Sequence, residues 1–189
     1  GHSTGGIIIS HMLTMAPERF GKVLMLDPVS PLGLQLDPGQ IGVLTAMKTD
    51  RDVGFAGLAS AAPTLFRPET MVAGQMPQFA EATSTAQREL FALIIDKTRV
   101  LADGIWFGTP HNLGLEWDSG ALAKRMPEMT HEHLILFGKM DYWIPREHMD
   151  VMVEKLPNAR LEIFPYVGHS MNLEQPLLFA RIFGDFFRA

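Results

Sequence analysis

There is no cysteine among the 189 residues. Its absence removes disulfides, thiolate metal sites and a cysteine nucleophile together. Positive charge is also scarce: 16 Lys and Arg against 21 Asp and Glu leave a net charge of −5, and no basic cluster interrupts that balance. Nothing in this charge pattern would hold a phosphate backbone, so nucleic acid is excluded as a partner. No apolar run reaches the ~18 residues that cross a bilayer, which excludes a membrane span. The chain does not begin with Met. A leader would lie upstream of Gly1, and the cytoplasm is the default expectation for its compartment. What is present, 47% apolar and 20% charged residues, is the make-up expected of a globular domain with a buried core.

The first five residues carry the strongest signal. Gly1-His2-Ser3-Thr4-Gly5 is a G-x-S-x-G pentapeptide followed by Gly6 and an apolar run, Ile7 to Leu13. In a nucleophile elbow the serine sits on a sharp strand-to-helix turn, where small neighbours let the backbone fold back and leave Oγ exposed. Good helix formers run from Thr4 to Ala16 and stop at Pro17, and Lys22 to Leu26 reads as a short buried strand ending in Asp27-Pro28. From Val29 to about Thr130 strand-like rhythm disappears, and Pro and Gly punctuate short segments around a longer helical candidate, Thr85 to Ala102. Such a stretch far exceeds the roughly 2–6 residues of an ordinary αβ connection, which predicts an inserted helical cap. Strand character returns at His133–Gly138 and Arg160–Phe164, with an amphipathic helix after Pro145 between them and another from Gln175 to Phe187. This alternation predicts an α/β fold with a parallel sheet flanked by helices, in which ligands collect at the carboxyl ends of the strands.

A serine hydroxyl needs a histidine to take its proton, and that histidine needs a carboxylate to fix its tautomer. Asp141 and His169 follow the second and third predicted strands, on the same edge as Ser3. Asp27 also ends a strand and rivals Asp141 for the acid role; an Asp-Pro pair serves equally as a strand-ending turn, and Asp141 is preferred. His131-x-His133 has no evident third ligand, so no metal site is expected. His11 falls on the helix after the elbow, and His131, His133 and His148 read as ordinary surface or strand-end residues. Met47, Met71 and Met76, with Phe55, Phe66 and Phe79, suit an adaptable apolar pocket or a plain core equally in kind, and core is the commoner use.

The G-H-S-x-G-G elbow, the Gly138-Lys139-Met140-Asp141-Tyr142-Trp143-Ile144-Pro145 loop and the Gly168-His169 loop running to Glu174-Gln175-Pro176 resemble the cap-bearing branch of the α/β-hydrolase superfamily. The likeness covers Gly1 to Asp27 and about Thr130 to Ala189. It implies the C-terminal part of an α/β-hydrolase: core over 1–29, cap over 30–130 and core again over 131–189. It further implies Ser3 as nucleophile, His169 as base then acid, Asp141 as orienting carboxylate and the Thr4 amide as one oxyanion donor. Cap and loop residues His2, Trp106, His111, Asn112 and Trp143 are candidates for touching substrate; the segment 106–113 is expected to be a loop. The family's first strands, including the loop with the second oxyanion donor, would precede Gly1. Loss of one such donor costs about 10²–10³ in rate. The chain is therefore expected to be a fragment or cleavage product, partnered by a missing N-terminal half or by a second copy. The expected function is cofactor-independent hydrolysis of a small-molecule ester or other acyl substrate. Carbon–carbon, lactone or amide hydrolysis, perhydrolysis, and a non-catalytic ligand-binding role are the alternatives.

Overall fold

The computed structural model describes residues 1–188; of the expected C-terminal part only Ala189 lies outside them. The elbow feeds helix α1, Gly5–Met15, which stops where Pro17 opens a single 3-10 turn. Strand β1, Val23–Leu26, follows. Six helices then precede the next strand: α2 (Pro38–Thr49), α3 (Arg51–Ala61), α4 (Thr85–Val100), α5 (Asp103–Trp106), α6 (Gly108–Ser119) and α7 (Ala121–Lys124). Two of them begin with a reciprocal cap: Asp37 and Gln40 for α2, Ser84 and Gln87 for α4. Such pairs satisfy donors that a helix start leaves orphaned. The chain closes with β2 (His133–Gly138), α8 (Arg146–Lys155), β3 (Ala159–Phe164), α9 (Met171–Glu174) and α10 (Pro176–Arg188).

One expectation fails locally. Residues 108–113, read as part of a loop, form the first turns of α6. Pro110 lies in the first helical turn, where its missing N–H removes no bond, so the residue that suggested a loop is tolerated.

The three strands form one parallel sheet in the order β1-β2-β3, with Val23 opposite His133 and His133 opposite Ala159. Strand side chains alternate between faces. Val23, Met25, Ile135 and Phe137 pack with Ile7 and Leu13 of α1 and Met149 and Met152 of α8. Leu24, Leu26, Leu134 and Leu136 pack on the other face with Met171 and Phe186. Because both faces are covered, β1 and β2 are buried at every position, which explains why, His133 apart, they carry no polar side chain. Each such side chain contributes roughly 1.5–3 kcal/mol by leaving water. The fold is thus the parallel, helix-flanked sheet that the alternation predicts.

The helices between β1 and β2 have their own core. Phe55, Phe66, Phe79 and Phe91 pack ring on ring, with centroids 4.6–5.9 Å apart, and Leu173 of α9 joins them. Phe66 and Met47 are thus plain core, whereas Met76 is exposed. The outer edge of β1 is met at its end by His2, which bridges Leu26 in parallel sense. Beside that edge lies an apolar cavity of about 410 Å³ lined by residues including Ile9, Leu13, Leu24, Phe179 and Phe183. No helix among the described residues is long and apolar enough to cross a membrane.

Candidate active site

Ser3 is held where β1 ends. Its N–H donates to the Leu26 carbonyl at 3.1 Å, and its own carbonyl accepts from Gly6 at 2.9 Å and Val29 at 2.8 Å. To turn from the bridge into α1 within one residue, Ser3 adopts φ 54°, a left-handed conformation that costs a non-glycine residue energy. Gly6 permits the turn: a Cβ there would meet Pro28 and lie 2.8 Å from the Val29 carbonyl. The Thr4 amide, immediately before α1, has no backbone acceptor among the described residues.

Asp141 follows β2 and His169 follows β3, so both loops rise from the same edge of the sheet as Ser3. Asp141 Oδ2 lies 2.8 Å from His169 Nδ1, and both side chains are almost wholly buried. Asp141 Oδ1 accepts the amides of Trp143 (2.7 Å) and Ile144 (3.3 Å), which fixes the carboxylate in place. With Nδ1 donating to Asp141, the neutral ring carries its lone pair on Nε2, and that nitrogen has no partner among the described residues. The Ser3 hydroxyl also has none among them.

His2 and Trp143 both lie against the imidazole. The His2 ring lies 4.7 Å from that of His169 and donates Nε2–H to the His169 carbonyl at 2.7 Å. Burial, reinforced by the facing His169, pushes His2 down to about 4, so it stays neutral and fixes backbone rather than exchanging protons. Trp143 stacks nearly parallel on His169 at 5.8 Å, and its indole N–H donates to Ser60 Oγ at 2.9 Å. Neither Trp106, His111 nor Asn112 has a hydrogen bond or ring contact to Ser3, Asp141 or His169 among the described residues. Trp106 donates to the Leu44 carbonyl of α2, and His111 and Asn112 are exposed on α6. The apolar cavity at the β1 edge is lined by His2 but by none of Ser3, Asp141 and His169.

Two further carboxyls belong to this neighbourhood. Asp27 is fully buried and accepts the Gly138 amide at 2.8 Å. Burial, with the Asp141 and Glu174 charges, pushes it up to about 9 against the opposing Gly138 contact. Glu174 accepts the Gly168 amide at 2.7 Å and the Thr64 hydroxyl at 2.9 Å. Burial pushes it up to about 7. Glu174 lies within the quoted E-x-P signature; Ser60 and Thr64 carry no local signal that could have found them. Asp27, Asp141 and His169 offer donor atoms within 4.8 Å of one another, the kind of spacing a cation uses. A cation there would have to displace the Asp141–His169 hydrogen bond, and we assign none.

Two other histidines are buried. His148, read as an ordinary surface or strand-end residue, is in fact buried: α8 presses it against Trp117, and its Nδ1 lies 3.0 Å from Ser30 Oγ. His133 is buried at the start of β2, with Nδ1 on the His131 carbonyl at 2.7 Å, while His131 Nε2 donates to the Pro17 carbonyl.

A family model described as the Alpha/beta hydrolase family matches residues 1–182. Among curated proteins, a 2-hydroxy-6-oxo-6-phenylhexa-2,4-dienoate hydrolase of Burkholderia cepacia is 23% identical over 98% of this chain and 60% of its own length. Esterase YbfF of Escherichia coli is 20% identical over 93% of this chain and 61% of its own. An esterase from Exiguobacterium antarcticum superposes with a TM-score of 0.68 at 23% identity, over all of this chain and 65% of that one. That superposition speaks for the fold alone. The chain spans about 60% of the length of the curated relatives it matches.

Proposed function

The chain belongs to the Alpha/beta hydrolase family, and from that premise we propose that it is the nucleophile-bearing part of a serine hydrolase acting on a carboxylic ester or related acyl compound. Ser3 Oγ attacks the carbonyl carbon while His169 Nε2 takes its proton. Asp141 holds the tautomer and balances the imidazolium charge. The Thr4 amide donates to the oxygen that becomes negative. His169 then returns the proton to the leaving alcohol, leaving an acyl-enzyme on Ser3. Water, deprotonated by His169, cleaves it to the free acid.

The observation that supports this most is the buried 2.8 Å Asp141–His169 pair, on a loop that His2, the residue before Ser3 in the chain, holds by a 2.7 Å hydrogen bond. A fluorophosphonate probe is expected to label Ser3, and Ser3→Ala to abolish labelling and lower ester turnover by at least about 10³-fold. Labelling that survives Ser3→Ala removes Ser3 from the mechanism. A second reading keeps the same three groups and changes the substrate, as the names of the two curated relatives suggest. Turnover of p-nitrophenyl esters against 2-hydroxy-6-oxo-6-phenylhexa-2,4-dienoate separates the two.

A further inference from the structure

The proposed triad leaves one buried ionisable group beside it without a task. Asp27 Oδ1 is occupied by the Gly138 amide, while Oδ2 is buried and has no partner among the described residues. An oxygen of Asp27, one of Asp141 and a nitrogen of His169 all lie within 4.8 Å of one another. Two adjacent carboxylates cannot both stay ionised away from water, so one of them holds a proton. Three N–H groups decide which. Asp141 receives Trp143, Ile144 and His169, all favouring its charged form, whereas Asp27 receives Gly138 alone. The charge therefore belongs on Asp141 and the proton on Asp27. Since Oδ1 already accepts, the proton sits on Oδ2, and the acceptor that the cluster offers it is the Asp141 carboxylate.

We propose that Asp27 is a positioning residue of this site, a neutral carboxylic acid whose Oδ2–H donates to Asp141 and holds that carboxylate for His169. Its catalytic part rests on the triad reading above; its protonation does not. The groups facing it agree in sign. Asp141 and Glu174 bring negative charge, which favours the proton on Asp27, and His2 stays neutral beside His169. The Asp27 backbone is itself left-handed, at φ 40°, so this inward placement is maintained against local strain. A donor to Asp141 spreads its charge without adding any, which keeps it from taking the Nδ1 proton outright.

Asp27→Asn retains a donor of similar shape, and two measurements use it. Infrared spectra of the intact chain at pH 8 are expected to show the carbonyl stretch of a protonated carboxylic acid, and Asp27→Asn to remove it. Glu174 is largely ionised at that pH, since burial raises it only to about 7. In kinetics, Asp27→Asn is expected to leave the acidic limb of the kcat/KM profile in place and kcat within about threefold, because donor and neutrality are both kept. Asp27→Ala withdraws the donor, leaves Asp141 more basic and moves that limb to higher pH, with kcat falling about tenfold at unchanged KM. If Asp27 were instead an ionised partner of the imidazole, Asp27→Asn would move the limb to lower pH and the infrared band would be missing. Either result overturns the proposal. Failure of the triad reading looks different: Ser3→Ala keeps its activity while the infrared band is unaffected.

Discussion

Ser3 has a backbone that its side chain alone does not justify. A left-handed φ costs a non-glycine residue about 1–2 kcal/mol, and it is met here because one residue must both end the bridge to Leu26 and start α1. Ser3→Gly and Ser3→Ala both remove the hydroxyl, so their difference isolates that strain. Ser3→Gly is expected to be more stable than Ser3→Ala by about 1 kcal/mol, seen as a higher urea midpoint. Equal midpoints would mean that the turn is relaxed. Ser3, Asp141 and His169 could be read from the sequence because each sits in a short motif with its turn-forming neighbours. Asp27 was legible only as a rival. Its neutrality follows from burial and from the neighbouring charges of Asp141 and Glu174, to which no local pattern points.

At the scale of elements, the end of β2 and the histidine loop are fitted to each other through Gly138. A Cβ at this position would strike the Gly168 carbonyl and lie 2.6 Å from that of Val167, backbone atoms that cannot rotate aside. Gly138→Ala is therefore expected to cost about 1–3 kcal/mol and to displace His169 from Asp141, lowering kcat much more than it alters KM. Thermal unfolding and ester kinetics check the two parts. The strands and α1, α4, α8 and α10 were visible in apolar periodicity because their cores lie on one or both faces of a regular element. The first turns of α6 were not, since Gly108, Pro110 and Gly114 imitate loop composition while the burial of Leu113, which no local pattern announces, goes with the helix. The contacts of Trp143 with Ser60 and of Thr64 with Glu174 span 83 and 110 positions, beyond any spacing rule.

For the whole molecule, the buried titratable groups set how stability follows pH. Asp27 and Glu174 are held above their unfolded values, so the stability they contribute is full at low pH and is lost as pH rises through about 9 and 7 respectively. His2 is held below its unfolded value and acts oppositely, its share being lost as pH falls towards about 4. Between about pH 5 and 6 these three leave the folded chain with one net extra proton, and from about 7 to 9 Asp27 supplies it alone. The urea midpoint is accordingly expected to fall as pH is raised from about 5 to 9, and Asp27→Asn to flatten the upper part of that decline. A midpoint that rises with pH across 7–9 would contradict it. One indole links this molecule's two halves: it roofs the imidazole with its face and hangs from α3 by its edge. A displacement of α3 would therefore be felt at the ring face against His169, so the setting of that imidazole depends on a helix from the other side of the sequence.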